Sequence, residues 1–157
     1  MEKVMPHIDI IPYTDALKEH IKTLNVEWLE KYFSVEPNDV ISLSNPKEEI
    51  LDKGGYIYYV TVDGSVAGTV SLLRITADEF ELGKMAVSGI YQGYGLGNIL
   101  VQHCIDEAAR LGIKKLVLFS NTSLGPAIHL YRKYGFTDAE FEQGHYARSN
   151  IKMERVI

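Results

Sequence analysis

The chain contains 157 residues, of which 46% are hydrophobic and 24% are charged, and its formal net charge is −5. This length predicts one domain spanning residues 1–157, and the acidic balance argues against a nucleic-acid partner, which needs clustered positive charge. No apolar run approaches the roughly 20 residues needed to cross a bilayer, so we expect no membrane partner either.

The N-terminal third predicts two helices. Residues 13–32 carry apolar side chains every three or four positions, which is typical of an amphipathic helix. Residues 36–52 predict a second or broken helix, because two prolines interrupt the segment and Gly54-Gly55 ends it.

Three antiparallel strands are predicted next. Residues 56–62 are aromatic and β-branched, and the Asp63-Gly64 pair that follows is a strong two-residue hairpin turn. The partner strand covers residues 65–75, and a third strand covers residues 79–87. We expect these strands to lie side by side in one sheet.

The second half of the chain alternates helices and strands. A helix with a regular apolar face runs from a glycine-rich loop to about Arg110, a short apolar strand covers residues 114–119, and another helix covers residues 127–134. The tail from residue 136 to 157 predicts two more strands. This order indicates an α/β or α+β sheet with helices on its faces, in which residues 79–119 form a crossover that places a ligand at the strand ends.

The loop from Gln92 to Gly97 carries three alternating glycines between a strand and a helix. Glycine allows sharp turns and close approach of a ligand to the backbone, and the amides at a helix start attract anions. The pattern therefore predicts a phosphate or pyrophosphate site. It lacks the third glycine of the dinucleotide motif, where Asn98 stands, and the Gly-Lys-Ser/Thr of the nucleotide-triphosphate loop. A tight turn that binds nothing is the alternative.

The segment from Gln92 to Gly97 resembles the Gln/Arg-x-x-Gly-x-Gly/Ala signature of the GNAT superfamily of N-acetyltransferases. The preceding Glu81 to Val87 is similar to that family's central strand, and Leu130 to Phe136 is similar to its Leu-Tyr-x-x-x-Gly-Phe segment. The resemblance covers nearly the whole chain. It implies an α/β (α+β) fold with a GNAT-like mixed central sheet of six to seven strands flanked by about four helices.

The resemblance further implies transfer of an acetyl group from acetyl-CoA, as co-substrate, to a primary amine by direct attack in a ternary complex. The loop amides would hold the pyrophosphate of coenzyme A, and the pantetheine arm would bond to the central strand, where a bulge near residues 86–89 would separate two strands. The implied cofactor-binding residues are Met85, Ala86, Val87, Gln92, Gly93, Tyr94, Gly95, Leu96, Gly97, Asn98 and Asn121.

Asn121 is the least direct of these assignments. Many family members carry an asparagine seven residues before the tyrosine of the Leu-Tyr segment, where it helps to hold the cofactor. In this chain Leu124 occupies that position, and Asn121 lies three residues earlier, at the end of the preceding strand. The resemblance therefore leaves Asn121 as a substitute for the missing asparagine.

Two catalytic residues are carried over from the resemblance. Tyr131 matches the family tyrosine that protonates the departing thiolate, and Glu81 is the candidate base on the central strand. The alternatives are a packed tyrosine with a satisfied hydroxyl and a solvated or salt-bridged glutamate. His129 is expected at the surface or in packing, and Cys104 in the core, which disfavours a ping-pong mechanism.

Cys104 is the only cysteine, which excludes an internal disulfide and fits a cytoplasmic protein. No Cys/His cluster has zinc spacing, so no metal is expected.

The acceptor is expected to be a small amine or a peptide amine, with the net charge favouring cationic molecules. Two other functions stay open: a sensor module that binds acetyl-CoA without turnover, and an acetyltransferase for peptide N-termini or lysines. The terminal strands leave sheet edges, so a homodimer is one expected assembly. Acceptor contacts are expected from the first two helices and the C-terminal strands, at Tyr32, Phe33, Glu36 and Tyr146.

Overall fold

A central sheet of seven strands organises the computed structural model, which describes residues 5–143 and 146–157. The strand order is β1-β2-β3-β4-β5-β7-β6, and the β4–β5 pair is parallel whereas the other neighbours are antiparallel. The strands are β1 (Ile8–Pro12), β2 (Tyr56–Val62), β3 (Ser65–Arg74), β4 (Glu79–Val87), β5 (Lys115–Ser120), β6 (Thr137–Ala139) and β7 (Ile151–Val156). The predicted mixed sheet is confirmed.

Strand β1 was not predicted, because the sequence interpretation begins with a helix. Ile8–Pro12 is only five residues long, and it pairs antiparallel with β2 at the edge of the sheet. Its five residues are exposed or only partly buried. A segment this short carries too little apolar alternation to be recognised as a strand from sequence. Pairing with β2, rather than local sequence, makes this segment a strand.

The hairpin between β2 and β3 is formed as predicted. Asp63 and Gly64 have φ angles of +48° and +84°, which is the left-handed pair that a type I′ turn requires. Asp63 also accepts a hydrogen bond at Oδ1 from the backbone N–H of His7, at 2.9 Å. The turn therefore helps to hold the start of β1 against the sheet.

Within the described residues, four α-helices cover the two faces of the sheet, and they are α1 (Lys18–Tyr32), α2 (Pro37–Ser44), α3 (Leu96–Leu111) and α4 (Gly125–Lys133). The predicted helix 13–32 starts later than expected, after a short 3-10 turn at Asp15–Leu17. The expected broken helix consists of α2 and a π-helical turn, Lys47–Leu51. No helix in the described ranges is long and apolar enough to cross a bilayer.

The two faces of the sheet bury separate apolar clusters. Helices α1 and α2 pack on one face, around Ile21, Leu43 and Tyr59. Helix α3 packs on the other, where Leu100 and Cys104 are fully buried. Burying one such side chain contributes about 1.5–3 kcal/mol, so α3 is firmly held as the crossover between the parallel strands β4 and β5.

Candidate active site

The candidate site lies where the two parallel strands separate. Strands β4 and β5 pair over only three positions, from Glu79 with Lys115 to Glu81 with Val117. Beyond Glu81, β4 continues against β3 alone and β5 against β7 alone. The gap opens into a cavity of about 190 Å³, which α1, β4, β5, α4 and the C-terminal segment line. Ligands in α/β sheets bind at such a strand end.

A β-bulge bends β4 just after the strands separate. Ser71 of β3 pairs with Gly83, whereas Thr69 pairs with Ala86, so two residues of β4 lie opposite one of β3. Lys84 is one of the two and has a φ of +53°, which is uncommon for a residue other than glycine. Bulges of this kind re-aim side chains next to active sites.

The predicted position of the bulge, near residues 86–89, is wrong by about two residues. The left-handed backbone at Lys84 is stabilised by contacts that are distant in sequence. The Lys84 carbonyl accepts a hydrogen bond from Asn25 Nδ2 of α1 at 3.2 Å, and its ammonium donates to Tyr146 Oη at 2.6 Å. Tertiary contacts therefore place the bulge at a lysine, earlier in β4 than the sequence predicted.

The expected cofactor strand lies beside the cavity. Met85 lines it, and Ala86 and Val87 pair with β3 on the far side. Gln92 is exposed, and its Nε2 donates to the Val87 carbonyl at 3.4 Å. Tyr94 is also exposed, at 44%. The side of this strand segment that faces β5 has no partner strand in the described chain.

The glycine loop forms an open cradle at the start of α3. Gly93 and Gly95 have φ angles of +87° and +73°, and a Cβ built at either would meet no atom within 4 Å. The first backbone bond of the helix runs from Ile99 N to Gly95 O at 3.3 Å, and the amides of residues 96–98 find no acceptor among the described residues. Such amides bind anions, so the loop fits a pyrophosphate.

Leu96, Gly97 and Asn98 hold the cradle in place by packing against the core and α4, and they supply its backbone amides. The Leu96 side chain is buried in the core, and a side chain at Gly97 would lie 3.3 Å from a leucine of α4. Asn98 Oδ1 accepts hydrogen bonds from Lys133 Nζ at 2.9 Å and Tyr134 Oη at 3.1 Å. The Asn98 side chain therefore joins α3 to α4, and its backbone amide is left for a ligand.

Tyr131 faces the cavity from α4. The residue is 9% exposed, and its ring meets Phe136 edge to face with the ring centroids 6.1 Å apart. Burial raises the pKa of Tyr131 to about 12. The hydroxyl therefore keeps its proton at neutral pH and is a proton donor rather than a base.

Glu81 faces the same cavity from β4, at the last paired position. Burial raises the pKa of Glu81 to about 7, against the opposing charges of Lys84 and Arg148. The carboxylate packs over Gly83, where a Cβ would lie only 2.8 Å from Glu81 Oε2. A carboxyl with a pKa near 7 is suited to accept protons at neutral pH.

Five residues on one side of the cavity are joined by ion pairs and hydrogen bonds, and we call them the roof network: Glu36, Asp39, Lys84, Tyr146 and Arg148. Arg148 donates to both carboxylate oxygens of Asp39, at 2.8 and 2.9 Å, and to Glu36 Oε2 at 3.1 Å. Lys84 Nζ lies 3.8 Å from Asp39 Oδ1. Although burial opposes ionisation, the Arg148 hydrogen bonds hold the pKa of Asp39 below its usual value.

Asp39, Lys84 and Arg148 were not among the sequence candidates. They come from α2, β4 and the C-terminal segment, and 109 positions separate the Asp39–Arg148 pair. Only the position of Asp39 at the start of α2 had a local signal, because acidic side chains are favoured at helix starts. There its Oδ2 accepts a hydrogen bond from the backbone N–H of Glu36 at 2.8 Å. Nothing local predicts the pairing with Arg148.

Asn121 lines the cavity but its side chain is already hydrogen-bonded. Its Nδ2 donates to the Arg148 carbonyl at 2.7 Å, and its Oδ1 accepts from the Ser123 N–H at 2.8 Å. Leu124, the residue at the usual family position, also lines the cavity. Asn121 therefore anchors the C-terminal segment, and its cofactor role stays a prediction.

Of the expected acceptor contacts, Phe33 and Tyr146 line the cavity. Glu36 instead binds Arg148, and Tyr32 is half-exposed, with its ring against Trp28. His129 is exposed on α4 and Cys104 is fully buried, as expected. The described residues contain no cluster of His, Cys, Asp and Glu side chains that could hold a metal ion.

Known proteins resemble this chain in both sequence and fold. The [ribosomal protein bS18]-alanine N-acetyltransferase of Escherichia coli K12 is 30% identical over 130 residues, which is 83% of this chain and 78% of the relative. The crystal structure of a GNAT-family acetyltransferase from Staphylococcus aureus superposes with a TM-score of 0.84 at 20% identity, covering 96% of this chain and 99% of that one.

A putative acetyltransferase from Salmonella typhimurium, solved with its cofactor acetyl-CoA, superposes with a TM-score of 0.72 at 18% identity, covering 95% of this chain and 93% of that one. Residues 17–136 match the model of the Acetyltransferase (GNAT) family. This match covers the split strands, the glycine cradle and Tyr131. The chain therefore belongs to the GNAT family of acetyltransferases, enzymes whose acetyl donor is acetyl-CoA.

Proposed function

We propose that the chain acetylates a primary amine by direct attack of the amine on bound acetyl-CoA in a ternary complex. One observation carries the proposal: Glu81 and Tyr131 face one cavity at the strand separation, and one has a pKa suited to accept a proton whereas the other retains its proton. Each task that an acetyl transfer sets the protein then has a candidate group. Glu81 would remove a proton, Tyr131 would donate one, and backbone groups would bind the donor.

Glu81 would act as the general base. An amine reaches the enzyme mainly as an ammonium, so a proton has to leave the nitrogen before or during attack. A base with a pKa of about 7 is about 90% ionised at pH 8, and a well-placed base contributes about 10²- to 10⁴-fold to the rate. Burial keeps the proton affinity of Glu81 high despite the nearby charges of Lys84 and Arg148.

Tyr131 would act as the general acid. When bound, acetyl-CoA supplies a thioester whose carbonyl carbon forms the new bond to nitrogen while the carbon–sulfur bond breaks. Tyr131 Oη holds a proton up to a pH of about 12 and would donate it to the leaving sulfur. Glu81 and Tyr131 come from different elements, which allows them to work on opposite sides of the reacting carbon.

The donor would be held by backbone groups. We assign the pyrophosphate to the amides of residues 92–98 and the pantetheine arm to the unpaired edge of β4 at residues 85–87. The open space around Gly93 and Gly95 supports the first assignment, and the absence of a β5 partner beyond Glu81 in the described chain supports the second. Asn121 is kept as a further contact, which would need it to exchange one of its present hydrogen bonds.

Direct transfer is favoured over an acetyl-enzyme intermediate. Cys104 is completely buried in the core, and burial raises the pKa of its thiol. A buried, protonated thiol without a base is a poor nucleophile. Residues 1–157 would thus act as one acetyltransferase domain with one donor and one acceptor site.

A peptide α-amine is the second candidate acceptor. The Escherichia coli K12 relative is named as an N-acetyltransferase for an alanine of ribosomal protein bS18. The cavity of about 190 Å³ is smaller than the roughly 300 Å³ at which ligand pockets begin. Such a cavity suits a small amine or the first residue of a chain.

A sensor module without turnover would leave Glu81 and Tyr131 without a role. The exposed edges β1 and β6 keep a homodimer among the proposals.

The test is release of coenzyme A thiol, measured against pH with small amines, lysine peptides and peptides that begin with a small residue. We expect Glu81→Gln to lower kcat/KM by about 10²-fold or more and to abolish the loss of activity below pH 7, with acetyl-CoA affinity unchanged. Tyr131→Phe should lower kcat and leave that affinity intact. Normal acetyl-CoA binding without turnover of any acceptor would instead favour the sensor function.

A further inference from the structure

Lys84 occupies a position that a regular strand would not give it. Successive side chains of a strand point to opposite faces, so residues three apart, such as Glu81 and Lys84, normally diverge. The bulge and the left-handed φ of +53° at Lys84 change this alternation, and both side chains line the same cavity. The Lys84 side chain is only 8% exposed there.

Lys84 is also the less compensated of the two cations beside Glu81. Arg148 is committed to Asp39 through two hydrogen bonds and to Glu36 through a third. Lys84 donates to the neutral hydroxyl of Tyr146 at 2.6 Å and lies 3.8 Å from the nearest carboxylate oxygen, Asp39 Oδ1. The same ammonium lies 4.6 Å from the centroid of the Tyr146 ring. Lys84 is therefore paired less closely with a carboxylate than Arg148 is.

We propose that Lys84 is a positioning residue for Glu81, whose carboxylate it stabilises from the bulge of β4. This inference rests on the proposed role of Glu81 as base. The two carboxylates of the roof network balance the two cations, so loss of the Lys84 charge would leave an excess negative charge beside Glu81. Glu81 would then be protonated in a larger fraction of the molecules at neutral pH, and proton removal from the amine would slow.

In the described part of the chain, few charged or titratable groups line the cavity together with Glu81. The α1 and β5 residues that line the cavity are uncharged. The charged or titratable residues that line it with Glu81 are Lys84 of β4, Asp39 of α2, Tyr131 of α4, and Tyr146 and Arg148 of the C-terminal segment. Lys84 and Arg148 are the two whose charges lower the pKa of Glu81.

The test is the pH dependence of kcat/KM for Lys84→Gln, which removes the charge and keeps a hydrogen-bond donor. We expect the acid limb of the profile to move to higher pH by about one pH unit, so that activity falls about fivefold at pH 7 and recovers at pH 9. Lys84→Arg should restore the wild-type limb. The control Lys114→Gln removes an exposed lysine just before β5, at the opposite end of the sheet from the cavity, and should leave the limb in place.

A merely structural role for Lys84 would lower kcat/KM equally at every pH, and that result would overturn the proposal. Acetyl-CoA binding by calorimetry reports on folding. If Lys84→Gln does not fold, Lys84→Asn carries the same test, because asparagine tolerates the left-handed conformation. If Glu81→Gln keeps the wild-type acid limb, the base assignment itself is wrong. If that limb is lost but Lys84→Gln leaves it unmoved, only the role of Lys84 is refuted.

Discussion

The raised pKa of Glu81 predicts that its carboxylate destabilises the fold when it is ionised. The pKa is about 7 in the folded chain and 4.5 in a free glutamate, and one pKa unit corresponds to about 1.4 kcal/mol. Below pH 4.5 Glu81 is protonated in both the folded and the unfolded chain. As the pH rises from about 4.5 to about 7 the unfolded chain releases this proton whereas the folded chain retains it, so folding stability falls, and it levels off above pH 7. The full cost is about 3 kcal/mol.

The perturbation is Glu81→Gln, which keeps the shape of the side chain and removes the ionisation. We expect the variant to be more stable than the wild type by up to about 3 kcal/mol at pH 8, with the difference vanishing towards pH 4.5. The assay is urea unfolding of both proteins between pH 5 and pH 9. Subtracting the two curves of unfolding free energy against pH cancels the contributions of the other titrating groups, such as Asp39.

The control is Glu30→Gln, which removes one negative charge from an exposed position of α1. It should give a small difference without this pH dependence. A stability difference for Glu81→Gln that is constant across the pH range, or that favours the wild type at pH 8, would refute the burial of a destabilised carboxylate and weaken the case for Glu81 as base.

Two glycines give further predictions. Gly95→Asp should abolish acetyl-CoA binding, because it adds strain at a φ of +73° and places a negative charge at the amides that we assign to the pyrophosphate. Gly112→Asp carries similar strain at φ +75° at the other end of α3 and should retain binding in the same calorimetric assay. Gly83→Ala should lower kcat/KM by about tenfold or more, because its Cβ would lie 2.8 Å from Glu81 Oε2 and displace the base without changing its charge. Unchanged kinetics in Gly83→Ala would show that the position of the Glu81 carboxylate is not critical.

The net charge of −5 is a poor guide to the charge around the roof network. There, Lys84 and Arg148 balance Asp39 and Glu36 in the roof network. A preference for cationic acceptors would therefore have to come from Glu81 or from the outer surface. The acceptor panel described above measures that preference directly.

Sequence predicted the parts of the fold that depend on local patterns. The aromatic and β-branched strands, the Asp63-Gly64 hairpin and the apolar face of α3 all follow from the spacing of side chains along the chain. The weakly patterned edge strand β1 could not be found in this way. Its existence depends on pairing with β2, which is 44 positions away at its nearest end.

The candidate site likewise has parts that local sequence predicts and parts that depend on tertiary contacts. The amino-acid sequence by itself predicted the glycine cradle, since left-handed glycines and free helix-start amides are local properties. It also predicted a strand that carries Glu81 and a helix that carries Tyr131. Only the tertiary structure decided that Lys84 turns into the cavity, that Arg148 closes its roof over Asp39, and that Glu81 has a pKa near 7. Burial and electrostatic interaction depend on which distant segments lie together, and no local pattern carries that information.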